Sequence, residues 1–480
     1  MTADPPVYLG IDLGTSALKV VALDADGRTR ASARHSYPTD SPEPGAAEQD
    51  PTHWWAALRQ ALDQLAADVP PASWTAVGLS GMLPTLVELD ARGQPVGPAI
   101  TWQDARAEPE ADALRDAVGD DALYRITGQR VDGRYLAPMH NRLRALGRAG
   151  STAVGAKDAL HAHLTGRLIT DPSTAAGSGV FDLETGCWNT DLIRAAGMGA
   201  MPAIAPPDTA TPIAPAWLAR WGRADDLPVV LGAADSVLGA LGLGAITHGD
   251  AAVIAGTSAI VLGVSDTPAR DVHRRFLVTP LAGPGWGLEM DLLAMGSAID
   301  GIATLLGLTG PAELLELAAT VQAPDAPVFL PYLNPGEQGA LWDPMLTGTL
   351  HGLTLGMGPA HVGRALLTGI VTELRRCVEI LAASTGRRGP LLLGGGASTS
   401  PLMWQDLADA TGREVVVDVG TTDHSAIGAA LLAASSQGCH ITRVADTRRV
   451  APRPQWAGFW ADAAERHDTL RRNVSRGESG

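Results

Sequence analysis

The residues that could do chemistry cluster first in Tyr8-Leu-Gly-Ile-Asp12-Leu-Gly14-Thr15-Ser16-Ala17, where an apolar run meets a turn of small residues and carries an acid beside it. Backbone N–H groups and small hydroxyls at such a turn suit a phosphate. A carboxylate on the adjoining strand suits Mg2+, often held through water. Glycine is expected to supply the bend, since it reaches positive φ without steric cost. The same Gly-Thr-Ser-Ala string returns 242 residues later as Gly256-Thr257-Ser258-Ala259, again between apolar runs. Two such turns facing each other would grip a polyphosphate from both sides. Two further pieces accompany them. Val229-Val-Leu-Gly-Ala-Ala-Asp235 is an apolar run ending in an acid, and Leu391-Leu-Leu-Gly394-Gly395-Gly396 meets a glycine turn that lets a flat ligand lie against backbone. Each piece alone has a plainer reading, as a tight turn or as a strand-end carboxylate capping the next helix.

Hairpins and strand–helix turns must hold these residues in place. Val20, Val21 and Leu23 predict a second strand after the first turn, and Arg28 to Tyr37 a third. Trp54, Trp55, Leu58, Leu62 and Leu65 share one face of a helix over 51–67. Ala76–Leu79 and Leu86–Leu89 read as short strands around the loop Ser80-Gly81-Met82-Leu83-Pro84-Thr85. Lys157 to Thr165 reads as a helix ended by Gly166, and 236–244 as a small-residue helix. In the second half, Val362, Leu366, Ile370, Leu374, Cys377 and Leu381 predict a long helix closed by Gly386. Ser400-Pro401 opens another with a capping hydroxyl and proline at its first position. A repeat at half the chain length implies two similar domains, residues 1–245 and 246–480, around a central cleft. That organisation resembles the α/β arrangement of two ribonuclease-H-like (actin-like ATPase) domains, which is the expected fold.

Composition narrows the function. A formal net charge of −16 argues against nucleic acid or an anionic membrane as partner, since both call for basic patches. Lysine occurs only at 19 and 157. Cys187, Cys377 and Cys439 are far apart and odd in number, which speaks against metal spacing and a disulfide framework. The first residues lack the regions of a signal peptide, and no unbroken apolar run reaches spanning length, so a cytoplasmic location is expected. His161 and His163 have no carboxylate–histidine company and read as structural. Neither lysine sits in a Gly-Lys-Ser/Thr loop, and no G-x-G-x-x-G or G-x-S-x-G occurs.

The order of these motifs resembles the FGGY family of carbohydrate kinases over nearly the whole chain. The most specific piece is Phe329-Leu-Pro-Tyr-Leu-Asn-Pro-Gly-Glu337 through Trp342-Asp343-Pro344 to Gly352-Leu353-Thr354. Lys157-Asp158, Leu164-Thr-Gly166 and Thr170-Asp171 resemble a second family block, and Gly394 to Leu402 the adenosine motif. The resemblance implies ATP and Mg2+ as cofactors and a small sugar or polyol, such as a ketose, as substrate. It implies Asp235 as catalytic base and Asp12 as the carboxylate near the metal. Gly14, Thr15, Ser16, Gly256 and Thr257 would hold phosphates, and Gly395, Gly396 and Ser398 would lie at the nucleotide end. Met82, Leu83, Trp102, Asp104 and Arg106 would line the sugar pocket with Asp235. A homodimer is the candidate assembly.

The departures fall in the sugar pocket. Xylulokinase reads Gln-Met-His-Gly after Ser-Gly and glycerol kinase Gln-Arg-Glu, against Met82-Leu83-Pro84-Thr85 here. The residue after the catalytic aspartate is asparagine or glutamine in those enzymes and Ser236 here. Leu83 and Pro84 offer no side-chain hydrogen bonds. This loop keeps open a non-catalytic or regulatory binding protein on the same fold, whereas Asp12 and Asp235 favour a kinase.

Overall fold

The computed structural model describes residues 5–334, 337–343 and 345–477, with the side chains of 337, 338, 397, 398 and 475–477 left aside. Two large sheets dominate, and their central five strands share one order. In the first sheet the hairpin Val7–Leu13 and Ala17–Asp24 continues into Thr29–Ser36 on one side. On the other side Val7–Leu13 pairs in parallel with Trp74–Gly81, which pairs in parallel with Pro228–Ala234. In the second sheet the hairpin Ala251–Ala255 and Ala259–Ser265 continues into Trp286–Leu292. Ala251–Ala255 pairs in parallel with Leu391–Gly395, which pairs in parallel with Val415–Asp418. The repeated Gly-Thr-Ser turns therefore sit at equivalent corners of two equivalent sheets.

Strands buried on both faces need near-continuous apolar sequence, and Val7–Leu13 and Pro228–Ala234 have it. The helix Pro51–Asp68 covers the first sheet with Trp54, Leu58, Leu62 and Leu65. The helix Pro359–Thr385 covers the second with Leu366, Ile370, Leu374, Cys377 and Leu381, and Gly386 ends it in the left-handed conformation. Between the sheets the helices Asp235–Leu243 and His424–Ser436 cross closely. A Cβ on Gly428 would lie 1.9 Å from the Leu238 carbonyl oxygen, so only glycine fits that crossing. The three cysteines form no disulfide among the described residues, and no described helix is long and apolar enough to cross a membrane.

The helix from Ser400 is capped as expected, Ser400 Oγ accepting from the Met403 N–H at 3.4 Å. His161 is buried against the Arg167 carbonyl, and His163 stacks on Trp55, both as structural side chains. One expectation is corrected. Neither Gly14 nor Gly256 has positive φ, so the hairpin turns do not rest on a left-handed glycine. The proline-rich connection 202–215 carries two short strands, Ala203–Ile204 and Ala210–Pro212, each paired with another strand.

Candidate active site

The first hairpin closes with the Gly14 N–H donating to the Ala17 carbonyl at 3.2 Å, and the second with Gly256 donating to Ser258 at 2.7 Å. Both turns, Asp12, Asp235, Trp102, Gly395 and Gly396 line one cavity of about 330 Å³. A second cavity of about 480 Å³ shares Gly256, Thr257 and Gly396 with the first and runs on past Met295, Ile299, Leu315 and Met403. The two form one cleft, polar at the hairpins and apolar at its far end, which suits a phosphate chain followed by a flat base. The apolar far wall escaped sequence reading. Its residues sit on three separate helices and read as ordinary core positions.

The triglycine turn resolves into three different jobs. A Cβ on Gly394 would lie 2.5 Å from the His424 ring, so that glycine serves packing. Gly395 has φ +85°, and a Cβ there would lie 2.2 Å from the Ala255 carbonyl oxygen, so both space and backbone demand glycine. Gly396 has neither constraint and borders both cavities. The side chain of Ser398 lies outside the described residues, as do Pro335, Gly336 and Pro344 of the long signature.

Asp12 is 3 % exposed. Its Oδ1 accepts from Ser80 Oγ at 2.9 Å and its Oδ2 from Lys19 Nζ at 3.2 Å. Among the described residues no group of three or more His, Cys, Asp or Glu could hold a metal ion. A single carboxylate beside a small-residue turn is the ligand type that Mg2+ takes together with phosphate and water oxygens. Asp235 begins its helix where the strand Pro228–Ala234 ends, with Oδ1 accepting the Ser236 N–H at 2.9 Å. Burial, then the neighbouring Asp12 carboxylate, pushes it up to about 7, against the pull of the Ser236 N–H. Two acids on the strand Trp286–Leu292, absent from the sequence reading, adjoin it. Burial first, then Asp291 and Asp235, lift Glu289 well above the usual carboxylate range. Burial raises Asp291 to about 6, with Arg134 acting against it. Alternation along that strand places both on one face, but nothing in the sequence says which sheet face meets Asp235.

The expected sugar-pocket residues separate. Trp102 lines the cleft, and its Nε1–H donates to Thr15 Oγ1 at 2.9 Å. Leu83 is half-buried and packs against the apolar cluster that contains Ala233, Ala234 and Val237. Met82 is corrected: its side chain is buried in the core of the first lobe, because the strand Trp74–Gly81 ends with that position turned inward. Asp104 and Arg106 are corrected likewise. Asp104 Oδ2 accepts the Ala47 N–H at 2.9 Å, and Arg106 binds Asp104, Glu43 and Glu48 at 2.7–2.8 Å. Their charges are spent on each other and brace the loop that carries Trp102. Ser236 donates its hydroxyl to Glu289 Oε2 at 3.1 Å.

Comparison with known proteins agrees with this geometry. Residues 7–242 match the N-terminal domain of the FGGY family of carbohydrate kinases, and 251–436 its C-terminal domain. The xylulose kinase of Escherichia coli is 30 % identical over 439 residues, covering 89 % of each chain. The gluconokinase of Bacillus subtilis is 26 % identical, over 90 % of this chain and 87 % of its own. The solved xylulose kinase of Rhodospirillum rubrum superposes with a TM-score of 0.87 at 28 % identity, covering 98 % of this chain and 99 % of that one. Kinases matched along nearly the full length leave the non-catalytic reading without support. Two repeated lobes, paired Gly-Thr-Ser turns lining one cavity and matches to both family domains lead to one conclusion: this chain belongs to the FGGY family of carbohydrate kinases, enzymes that phosphorylate sugars and polyols with ATP.

Proposed function

We propose that the protein transfers the γ-phosphoryl group of ATP to a hydroxyl of a small, uncharged sugar or polyol, with Asp235 as general base. The observation that carries this reading is the position of Asp235 between the two phosphate hairpins with its carboxyl raised to about 7. A sugar hydroxyl is a poor nucleophile until its proton has somewhere to go, and a base poised near neutrality accepts it efficiently. Gly14, Thr15 and Ser16 face Gly256 and Thr257 across the phosphate chain. Their N–H groups and hydroxyls stabilise charge on the transferring group. Asp12 holds the Mg2+ carried by the nucleotide, which neutralises phosphate charge. Gly395 and Gly396 seat the adenosine, with Met295, Ile299 and Met403 beside the base. We place the domain boundary at 245/246, in the cytoplasmic enzyme, so that closure of one lobe on the other expels water before transfer.

The substrate class follows from the walls. Asp235 and its buried neighbour Asp291 ionise near neutral pH, and an aldonate carboxylate beside Asp235 would then meet like charge. Leu83 and Pro84 give no hydrogen bond where xylulokinase and glycerol kinase have polar contacts, and Ser236 is engaged by Glu289. The preferred substrate is therefore a ketose or polyol that differs from xylulose and glycerol around the hydroxyls facing Leu83 and Pro84. An ADP-release screen over ketoses, polyols and aldonates tests this. The best hit is expected to exceed xylulose and glycerol in kcat/KM, with aldonates near background. Xylulose as best substrate, at the efficiency of a dedicated enzyme, would refute the loop argument, and an efficient aldonate the charge argument.

A further inference from the structure

A fully buried ion cluster lies behind the strand that delivers Asp235. Lys157 is 1 % exposed, and its Nζ is 3.0 Å from Asp158 Oδ1, 3.1 Å from Asp171 Oδ1 and 3.2 Å from the Leu231 carbonyl oxygen. Burial works against the ammonium, yet Asp158 and Asp171 outweigh it and raise its pKa. Buried ion pairs are seldom net stabilising, because desolvation offsets the attraction. Phosphoryl transfer by Asp235 makes no direct use of this one.

Its contacts converge on a single irregularity. The strand Pro228–Ala234 pairs in register with Trp74–Gly81 up to Val230, slips, and resumes at Ala233. Gly232 lies inside the slip with φ +78°, and a Cβ on it would fall 1.6 Å from the Leu79 carbonyl oxygen. A bulge of this kind re-aims the residues that follow it, here Asp235. The cluster grips the backbone within the bulge and beyond it. Lys157 takes the carbonyl of Leu231, the other residue inside the slip. Ser173 Oγ accepts the Ala234 N–H after it, at 2.9 Å. Ser173 Oγ also donates to Asp171 Oδ2 at 2.5 Å, so its proton is committed and its lone pair must face Ala234. Thr174 Oγ1 holds the other Asp171 oxygen at 2.5 Å, which leaves that carboxylate no freedom to turn.

We propose that Lys157, Asp171 and Ser173 form a positioning clamp that fixes the bulge and thereby the aim of Asp235. Ser173 bonds the residue directly before the base, and Asp171 and Lys157 set the hydroxyl's polarity. The clamp rests on the reading of Asp235 as base.

Variants at Ser173 test it. Misplacing a reacting group by about 1 Å can cost on the order of a hundredfold in rate. Ser173→Ala is expected to lower kcat about ten- to a hundredfold, while KM for ATP stays within about twofold and the folded chain binds nucleotide in full. Ser173→Thr keeps the acceptor and restores most of the turnover. Ser173→Cys, similar in shape but a poor acceptor, stays slow, and it carries the test should the alanine variant fail to fold. Unchanged kcat per nucleotide-binding site in the alanine or cysteine variant overturns the clamp, as does a threonine variant as slow as alanine. Asp235→Asn is measured beside them. Near wild-type turnover in that variant removes the base assignment itself, whereas a dead Asp235→Asn with an unimpaired Ser173→Ala removes the clamp alone.

Discussion

Asp235→Asn is expected to make the protein more stable at alkaline pH while abolishing turnover. The wild-type carboxyl titrates at about 7 in the folded state against an ordinary value of 3.8. The folded chain therefore holds this proton more tightly than the unfolded chain. The contribution of Asp235 is harmless below 3.8, turns progressively unfavourable as pH rises from 3.8 to about 7, and stays at that level above it. Each tenfold in proton affinity is worth about 1.4 kcal/mol, so the full effect is roughly 4 kcal/mol at pH 8.5. Asparagine keeps the shape, drops the charge and ends the repulsion with Asp12. With about 2.1 cal/mol/K of unfolding entropy per residue, a chain this long that unfolds as one unit gains about 4 °C in Tm. The assay is thermal unfolding of both proteins between pH 4.5 and 8.5, with turnover measured in parallel. The Tm difference should be small at the acid end, grow to about pH 7 and then level off. A gain independent of pH, or no gain at pH 8.5, would refute the electrostatic account of Asp235.

Wild-type kcat/KM should rise with pH through a midpoint near 7, because only the ionised carboxylate accepts a proton. Lys19→Met should move that midpoint upward, since the Lys19 charge lowers Asp235, and a pH–rate profile of the variant checks the direction. Gly396→Val should weaken ATP binding and leave sugar binding nearly intact, since its Cβ would lie 3.4 Å from the Ala255 carbonyl oxygen while the branched side chain narrows both cavities. Calorimetric titration of each ligand decides, and equal loss for both would indicate a folding defect. Asp406→Ala should cost about 3 kcal/mol or more of stability in denaturant titration, because it strands the buried Arg364 guanidinium, now 3.0 Å from Asp406 Oδ1.

Local chemistry and periodicity made much of this protein legible in its sequence. The Gly-Thr-Ser string at 14 and 256, each between apolar runs, predicts paired hairpins in two similar halves. The structure places both at the same corner of sheets that share one strand order. Helix caps at Gly166, Gly386 and Ser400 were readable because capping depends on a residue's own backbone freedom or hydroxyl. Asp12, Asp235, Trp102 and Gly396 were legible as cleft residues because their motifs are local and ordered. What only tertiary structure decided are relations between distant segments. Met82 belongs to the core, Arg106 is neutralised by Glu43 and Glu48, and Asp104 is held by Arg106 and the Ala47 N–H; Glu43, Glu48 and Ala47 are all more than fifty residues away from these partners. Glu289 and Asp291 reach Asp235 because one strand happens to turn that face towards one helix. Lys157 finds Leu231 across 74 residues of chain. A side chain's type states what it can bond. Whether it bonds a ligand or another part of the protein depends on which partners folding brings within about 3 Å, and no local pattern records that.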